Sequence, residues 1–132
     1  MIDPDDARGA RSSREQVCVD VAREMSRLYR EQFGRGPGRS RAHWAGRDTI
    51  LALLEDTLTP AERNLVKLGE HQRLRDVRLF FQYASEDDFR AAVEAASGRR
   101  VRAFVSGIDA GEDVAVELFV LHPEVDDGDQ AT

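Results

Sequence analysis

The stretch Leu58-Thr59-Pro60-Ala61-Glu62-Arg63 constrains the fold of this chain more than any other. Thr59 is a helix N-cap type, Pro60 falls at the first helical position, where its missing N–H costs nothing, and Glu62 stands three residues after the cap. The apolar run over residues 50–54 just before it reads as a buried strand, and the longest helical pattern of the chain follows it. A β-half therefore hands over to an α-half at Thr59.

A chain of 132 residues makes one domain with a single core. No apolar run approaches the roughly 20 residues of a membrane helix, so no direct membrane insertion is expected. The opening Met1-Ile2-Asp3-Pro4-Asp5-Asp6 is acidic and lacks the apolar segment of a secretory signal. The single cysteine, Cys18, fits a reducing cytoplasm. The net charge of −6 argues against a general nucleic-acid binder. Arginines dominate residues 8–47, whereas residues 109–132 carry acids and no lysine or arginine. Such polarity can steer a charged partner or pair two copies head to tail.

Residues 1–11 lack periodicity and read as a disordered lead. Capping boxes at Ser12 and Ser13 then open a helix whose stripe is Val17, Val21, Met25, Leu28 and Tyr29, with Gly34 as its C-cap. Strands follow over residues 39–45 and 49–55, the first with Arg39, Arg41 and His43 on a wet face and Ser40, Ala42 and Trp44 on a dry one. A short helix over residues 61–68 leads into a long one over 70–97 with the apolar set Leu74, Val77, Phe81, Ala84, Phe89, Ala92, Val93 and Ala96, re-capped near Ser85 and closed by Gly98. Residues 99–106 alternate, with Val101, Ala103 and Val105 opposite Arg100, Arg102 and Phe104. Residues 114–121 are apolar except for Glu117.

The expected fold is an α+β two-layer sandwich in the order α-ββ-α-α-ββ, with an antiparallel or mixed four-stranded sheet and helices on one face. Residues 12–122 form the domain and 123–132 an acidic flexible tail. Strands apolar on both sides, as at 50–54 and 114–121, call for cover on the second face, supplied by the first helix or by another copy of the chain. A homodimer is the preferred expectation.

Reactive chemistry is sparse. The ordinary fate of a lone cysteine beside an apolar stripe is a small core hydrophobe. His43, His71 and His122 lie far apart with no second ligand at metal spacing, so no metal or cofactor is expected. Asp109, Glu112 and Asp113 share a turn but lack the spacing of a calcium loop. Glu117 reads either as a buried acid or as an edge residue facing water. Gly34, Arg35, Gly36, Arg39 and Arg41 make a glycine- and arginine-rich loop that could hold a small anion or nucleotide. That loop follows a helix C-terminus, where the dipole disfavours anions, so a plain turn is the commoner reading. Together with Thr59 and Glu62 it forms the candidate binding surface. Trp44 lies on the dry side of its strand, which tells against stacking on bases.

Phe33-Gly34-Arg35-Gly36-Pro37 and Leu58-Thr59-Pro60-Ala61-Glu62-Arg63, followed by Gly98-Arg99-Arg100-Val101 and Val116-Glu117-Leu118-Phe119-Val120-Leu121, resemble the signature segments of the bacterial MpsC family. The resemblance spans roughly residues 14–122. It implies a single-domain protein on the cytoplasmic side, peripheral at the inner face of the membrane, within a sodium- and bicarbonate-linked membrane-potential system. It implies no catalytic residue, so a non-enzymatic interaction or regulatory role with a membrane or cytosolic protein partner is expected, with a small-anion or nucleotide sensor as the alternative. Phe80-Phe81-Gln82-Tyr83 is more aromatic than the family's usual pattern.

Overall fold

The computed structural model describes the backbone of residues 4–124 and the side chains of residues 13–124. It contains α1 (Pro4–Phe33), β1 (Arg39–Trp44), β2 (Thr49–Glu55), α2 (Pro60–Lys67), α3 (His71–Ala84), α4 (Glu86–Ser97), β3 (Val101–Asp109) and β4 (Val114–Leu121). The expected order holds, with the long helix divided in two at Ser85. Ser85 accepts N–H bonds from Asp88 and Phe89 through its carbonyl, and its side chain makes no cap bond.

α1 starts earlier than its serines suggest. Residues 4–11, expected to be an irregular lead, are helical. Pro4 has the backbone geometry of a first helical turn, and Ala7, Arg8, Ala10 and Arg11 are good helix formers by type. Ser12 and Ser13 therefore ride inside the helix and do not open it. The other expected margin, the acidic tail, is described only at Pro123 and Glu124, and residues 125–132 lie outside the described residues.

The four strands form one antiparallel sheet in the order β1-β2-β4-β3. α1 lies across β1 and β2 and packs on α4, while α3 and α4 pack on β3. The core between the layers takes Val21, Met25 and Tyr29 from α1, Ile50, Ala52 and Leu54 from β2, and Phe119 and Leu121 from β4. Phe89 stacks on Phe104 at 5.6 Å, and Phe104 meets Phe119 at 5.2 Å. A smaller core of Leu58, Leu74 and Ala110 joins α2 and α3 to the β3–β4 turn. The first helix thus lies on the face carrying Ile50, Ala52 and Leu54, so it cannot cover the opposite one.

Two expected apolar faces are displaced. In β3 a register irregularity between Val101 and Ala103 reverses the alternation, burying Phe104 and leaving Val105 exposed. In α3 the buried positions are Leu74, Arg78 and Gln82, while Val77, Phe80 and Phe81 of the expected stripe and its neighbour face water, Phe80 at 71%. Tyr83 turns its hydroxyl back to accept the Ser106 N–H at 3.0 Å, occupying an outward donor of edge strand β3.

The displaced faces give an unequal response to loss of aromatics. Phe104→Ala is expected to lower the unfolding free energy by about 3–5 kcal/mol, as core phenylalanine truncations do, whereas Phe80→Ser should change it by less than ~0.5 kcal/mol. Urea unfolding followed by circular dichroism measures both.

Candidate functional site

The Thr59 cap forms with both of its arms. The Thr59 hydroxyl accepts the Glu62 N–H at 3.2 Å, and Glu62 Oε1 accepts the Thr59 N–H at 2.9 Å. Glu62 does more than cap. The Arg78 guanidinium, 2% exposed, donates Nε to Glu62 Oε2 at 2.6 Å and Nη2 to Glu62 Oε1 at 2.7 Å. Arg78 Nη2 also donates to the Thr57 carbonyl at 2.9 Å, and its guanidinium lies 3.7 Å from the centre of the Phe33 ring. Burial pushes the Glu62 carboxyl up, but the bonds from Arg78 and Thr59 outweigh that push, so its pKa sits below the ordinary value.

The approach to the cap is held from both sides. Asp113, at φ 55°, accepts the Thr57 N–H at 2.8 Å and the Thr57 hydroxyl at 3.0 Å through Oδ1, and the Leu58 N–H at 3.2 Å through Oδ2. The acid of the β3–β4 turn is thus a clamp on its own chain. On the other side Arg35 donates to the Leu58 carbonyl at 2.7 Å and meets Asp56 at 3.4 Å, and Arg63 donates to Asp56 Oδ1 at 2.9 Å. These arginines, Arg35 foremost, hold the Asp56 carboxyl below its usual range. Gly38 is required here, because a Cβ would stand 2.9 Å from the Asp56 Cβ and closer still to its carboxylate.

Of the sequence-predicted site residues, Arg35, Thr59 and Glu62 therefore converge on the Asp56–Leu58 turn. Gly34, at φ 78°, ends α1, and Gly36 lies against the Arg30 side chain. Arg39 and Arg41 belong elsewhere: they sit on β1, 4.0 and 3.7 Å from Glu55. Each of Arg35, Arg39 and Arg41 thus has a carboxylate of the same chain beside it, but Arg39 and Arg41 share Glu55 and Arg35 shares Asp56 with Arg63, so the cations outnumber the acids. Sequence reasoning missed Asp56, Arg78 and Asp113. The available signal is the i, i+4, i+8 spacing of Leu74, Arg78 and Gln82, which an apolar stripe does not reveal because its last two members are polar.

One turn beyond Arg78, Gln82 Nε2 donates to Glu117 Oε1 at 2.8 Å, and the Tyr29 hydroxyl donates to the same oxygen at 2.7 Å. Glu117 is fully buried on central strand β4, which decides between its two expected positions. Burial pushes its pKa up to about 8 against the lowering effect of Tyr29, Ser106 and Arg78. Arg78 is already engaged by Glu62, so Glu117 has no cation of its own. Burial likewise raises the Cys18 thiol, whose side chain packs against the main core. Among the described residues no three His, Cys, Asp or Glu side chains come together as a metal site.

The family model described as Na+-translocating membrane potential-generating system (MpsC) matches residues 13–123. No curated protein and no solved structure matches the chain.

Two stability changes follow from this geometry. Arg78→Met strands the Glu62 carboxylate and should cost about 3–5 kcal/mol; adding Glu62→Gln should recover part of that loss, a coupling that a double-mutant cycle in urea measures. Glu117 binds its proton more tightly folded than unfolded, where an ordinary glutamate titrates near ~4.3. Its contribution is therefore complete below the unfolded pKa and declines by about 1.4 kcal/mol per pH unit as pH rises toward 8. Glu117→Gln should flatten that decline between pH 5 and about 8 in unfolding titrations. Glu62 acts in the opposite sense, its contribution being lost only as pH falls through its lowered pKa.

Proposed function

The chain belongs to the MpsC family, and from that premise we propose that it is a non-enzymatic interaction and regulatory protein of a sodium- and bicarbonate-linked membrane-potential system. It works on the cytoplasmic side, peripheral to the membrane, by docking a protein partner. No helix among the described residues is long and apolar enough to cross a membrane, so movement of ions belongs to that partner. The observation that carries the reading is α3, which buries Arg78 and Gln82 and turns Val77, Phe80 and Phe81 outward. An exposed aromatic cluster on a rigidly held helix suits the buried centre of a protein–protein contact. Phe81 meets Phe33 edge-on at 6.4 Å, so the cluster adjoins the turn where both signature segments converge. Among the described residues the carboxyl with a strongly raised pKa, Glu117, is enclosed and hydrogen-bonded within the core, which supports binding over proton-transfer chemistry.

Phe80→Asp combined with Val77→Asn is expected to reduce co-purification of partner proteins with the tagged chain from cell membranes at least tenfold, with the unfolding midpoint preserved. Undiminished recovery would remove the α3 face from the reading. Inorganic phosphate and bicarbonate, titrated in a thermal-shift assay, should leave the melting temperature unchanged. A rise of several degrees with either ion would favour the small-anion sensor.

A further inference from the structure

The sheet face turned away from the helices carries Leu51, Leu53, Val116, Leu118, Val120 and Val105, all half-buried or exposed. The register sets them in rows across the strands. One row reads Arg39, Glu55, Val114, Asp109; the next Arg41, Leu53, Val116, Gly107; the third His43, Leu51, Leu118, Val105. The face is therefore apolar along β2 and β4 up to Glu55 at the end of β2, basic along the β1 edge, where Arg39 and Arg41 share that one acid, and acidic at the Asp109 corner of β3. Four strands about 4.8 Å apart and seven residues at about 3.4 Å give it roughly 450 Å² in projection. Its accessible area is larger, of the order of the ~800 Å² that a stable complex buries on each partner.

We infer that this face is the interface through which two copies of the chain pair, β1 of each lying over β3 of the other. A two-fold axis parallel to the strands preserves the rows and exchanges the edges. It sets Arg39 against the second copy's Asp109, Arg41 over the space left by Gly107, and Leu51 and Leu53 over the Leu118 and Val116 of that copy. A two-fold axis perpendicular to the strands would instead stack β1 on β1 and crowd Arg39, Arg41 and His43 of both copies together. Charge thus selects one of the two face-to-face arrangements. The result is a four-layer α/β/β/α assembly with aligned sheets and the helices outermost. The α3 aromatic cluster remains free in it, so pairing is independent of the partner-docking reading above.

Sedimentation equilibrium of the full chain at micromolar concentrations tests this directly. The expected result is a dimer of the 14.8 kDa chain. Leu118→Asp, and Val105→Lys on the exposed edge, which brings a cation onto the second copy's basic β1 edge and leaves the fold intact, should each raise the dimer dissociation constant at least tenfold with unchanged circular dichroism. Arg39→Glu and Asp109→Arg should each weaken pairing, and together restore it. A monomeric wild-type chain, or folded Leu118→Asp and Val105→Lys chains that dimerise as the wild type does, would overturn the interface. Folded single charge variants that pair as tightly as the wild type would overturn the arrangement of β1 over β3.

Discussion

The contact between the Arg78 guanidinium and the Glu62 carboxylate holds the two halves of the fold in register. Taking both charges out of water is expensive, and their attraction offsets that cost only if the geometry is good and the remaining donors are used. Here the pair is bidentate, the Thr57 carbonyl takes a further Arg78 hydrogen, and the Phe33 ring lies beneath the guanidinium, so the cost is offset only in part, because Nη1 is buried without a hydrogen-bond partner. Glu62 can serve because the Thr59 cap already fixes its direction. One arginine thereby locks α3 to the start of α2, the exit of β2 and the end of α1. A pair of this kind contributes registry more than net stability: a helix slipped by one residue would lose every one of these bonds together.

That lock explains the inverted look of α3. Once Arg78 faces inward, Gln82 follows one turn later, where it meets Glu117, and the aromatic residues between them are carried round to the solvent side. A polar seam thus runs from the capping box through α3 to the middle of β4. The seam is satisfied only in part, since Arg78 Nη1, Gln82 Oε1 and Glu117 Oε2 are buried without a partner, and in a low-dielectric core each such atom carries a cost.

Most of the architecture is written in local pattern. The α1 stripe, the capping box, the left-handed Gly34 and Gly98 C-caps and the two hairpins each follow from a few neighbouring residues. Period alone could not choose between the stripe through Val77 and Phe81 and the one through Leu74, Arg78 and Gln82, because both fit a helix. The choice is made by Glu62 and Glu117, 16 and 35 residues from Arg78 and Gln82 in sequence. The irregularity in β3 was hidden for the same reason: Phe104 turns inward to meet Phe89 and Phe119, contacts that no strand pattern contains. In the candidate site the arginine-rich loop stood out in the sequence. The carboxylates that pair with it, Asp56 and Glu55, did not, because partners across a fold leave no trace in spacing.

The bond from the Ser106 N–H to the Tyr83 hydroxyl has a consequence for the sheet as a whole. An edge strand with free donors is a template for further strands, and fibrous growth begins there. With that donor capped by a helix side chain, and the other edge formed by the short, arginine-bearing β1, lateral extension is disfavoured at both margins. Self-association is left to the flat side of the sheet, where a two-fold contact closes on itself and stops at a finite particle.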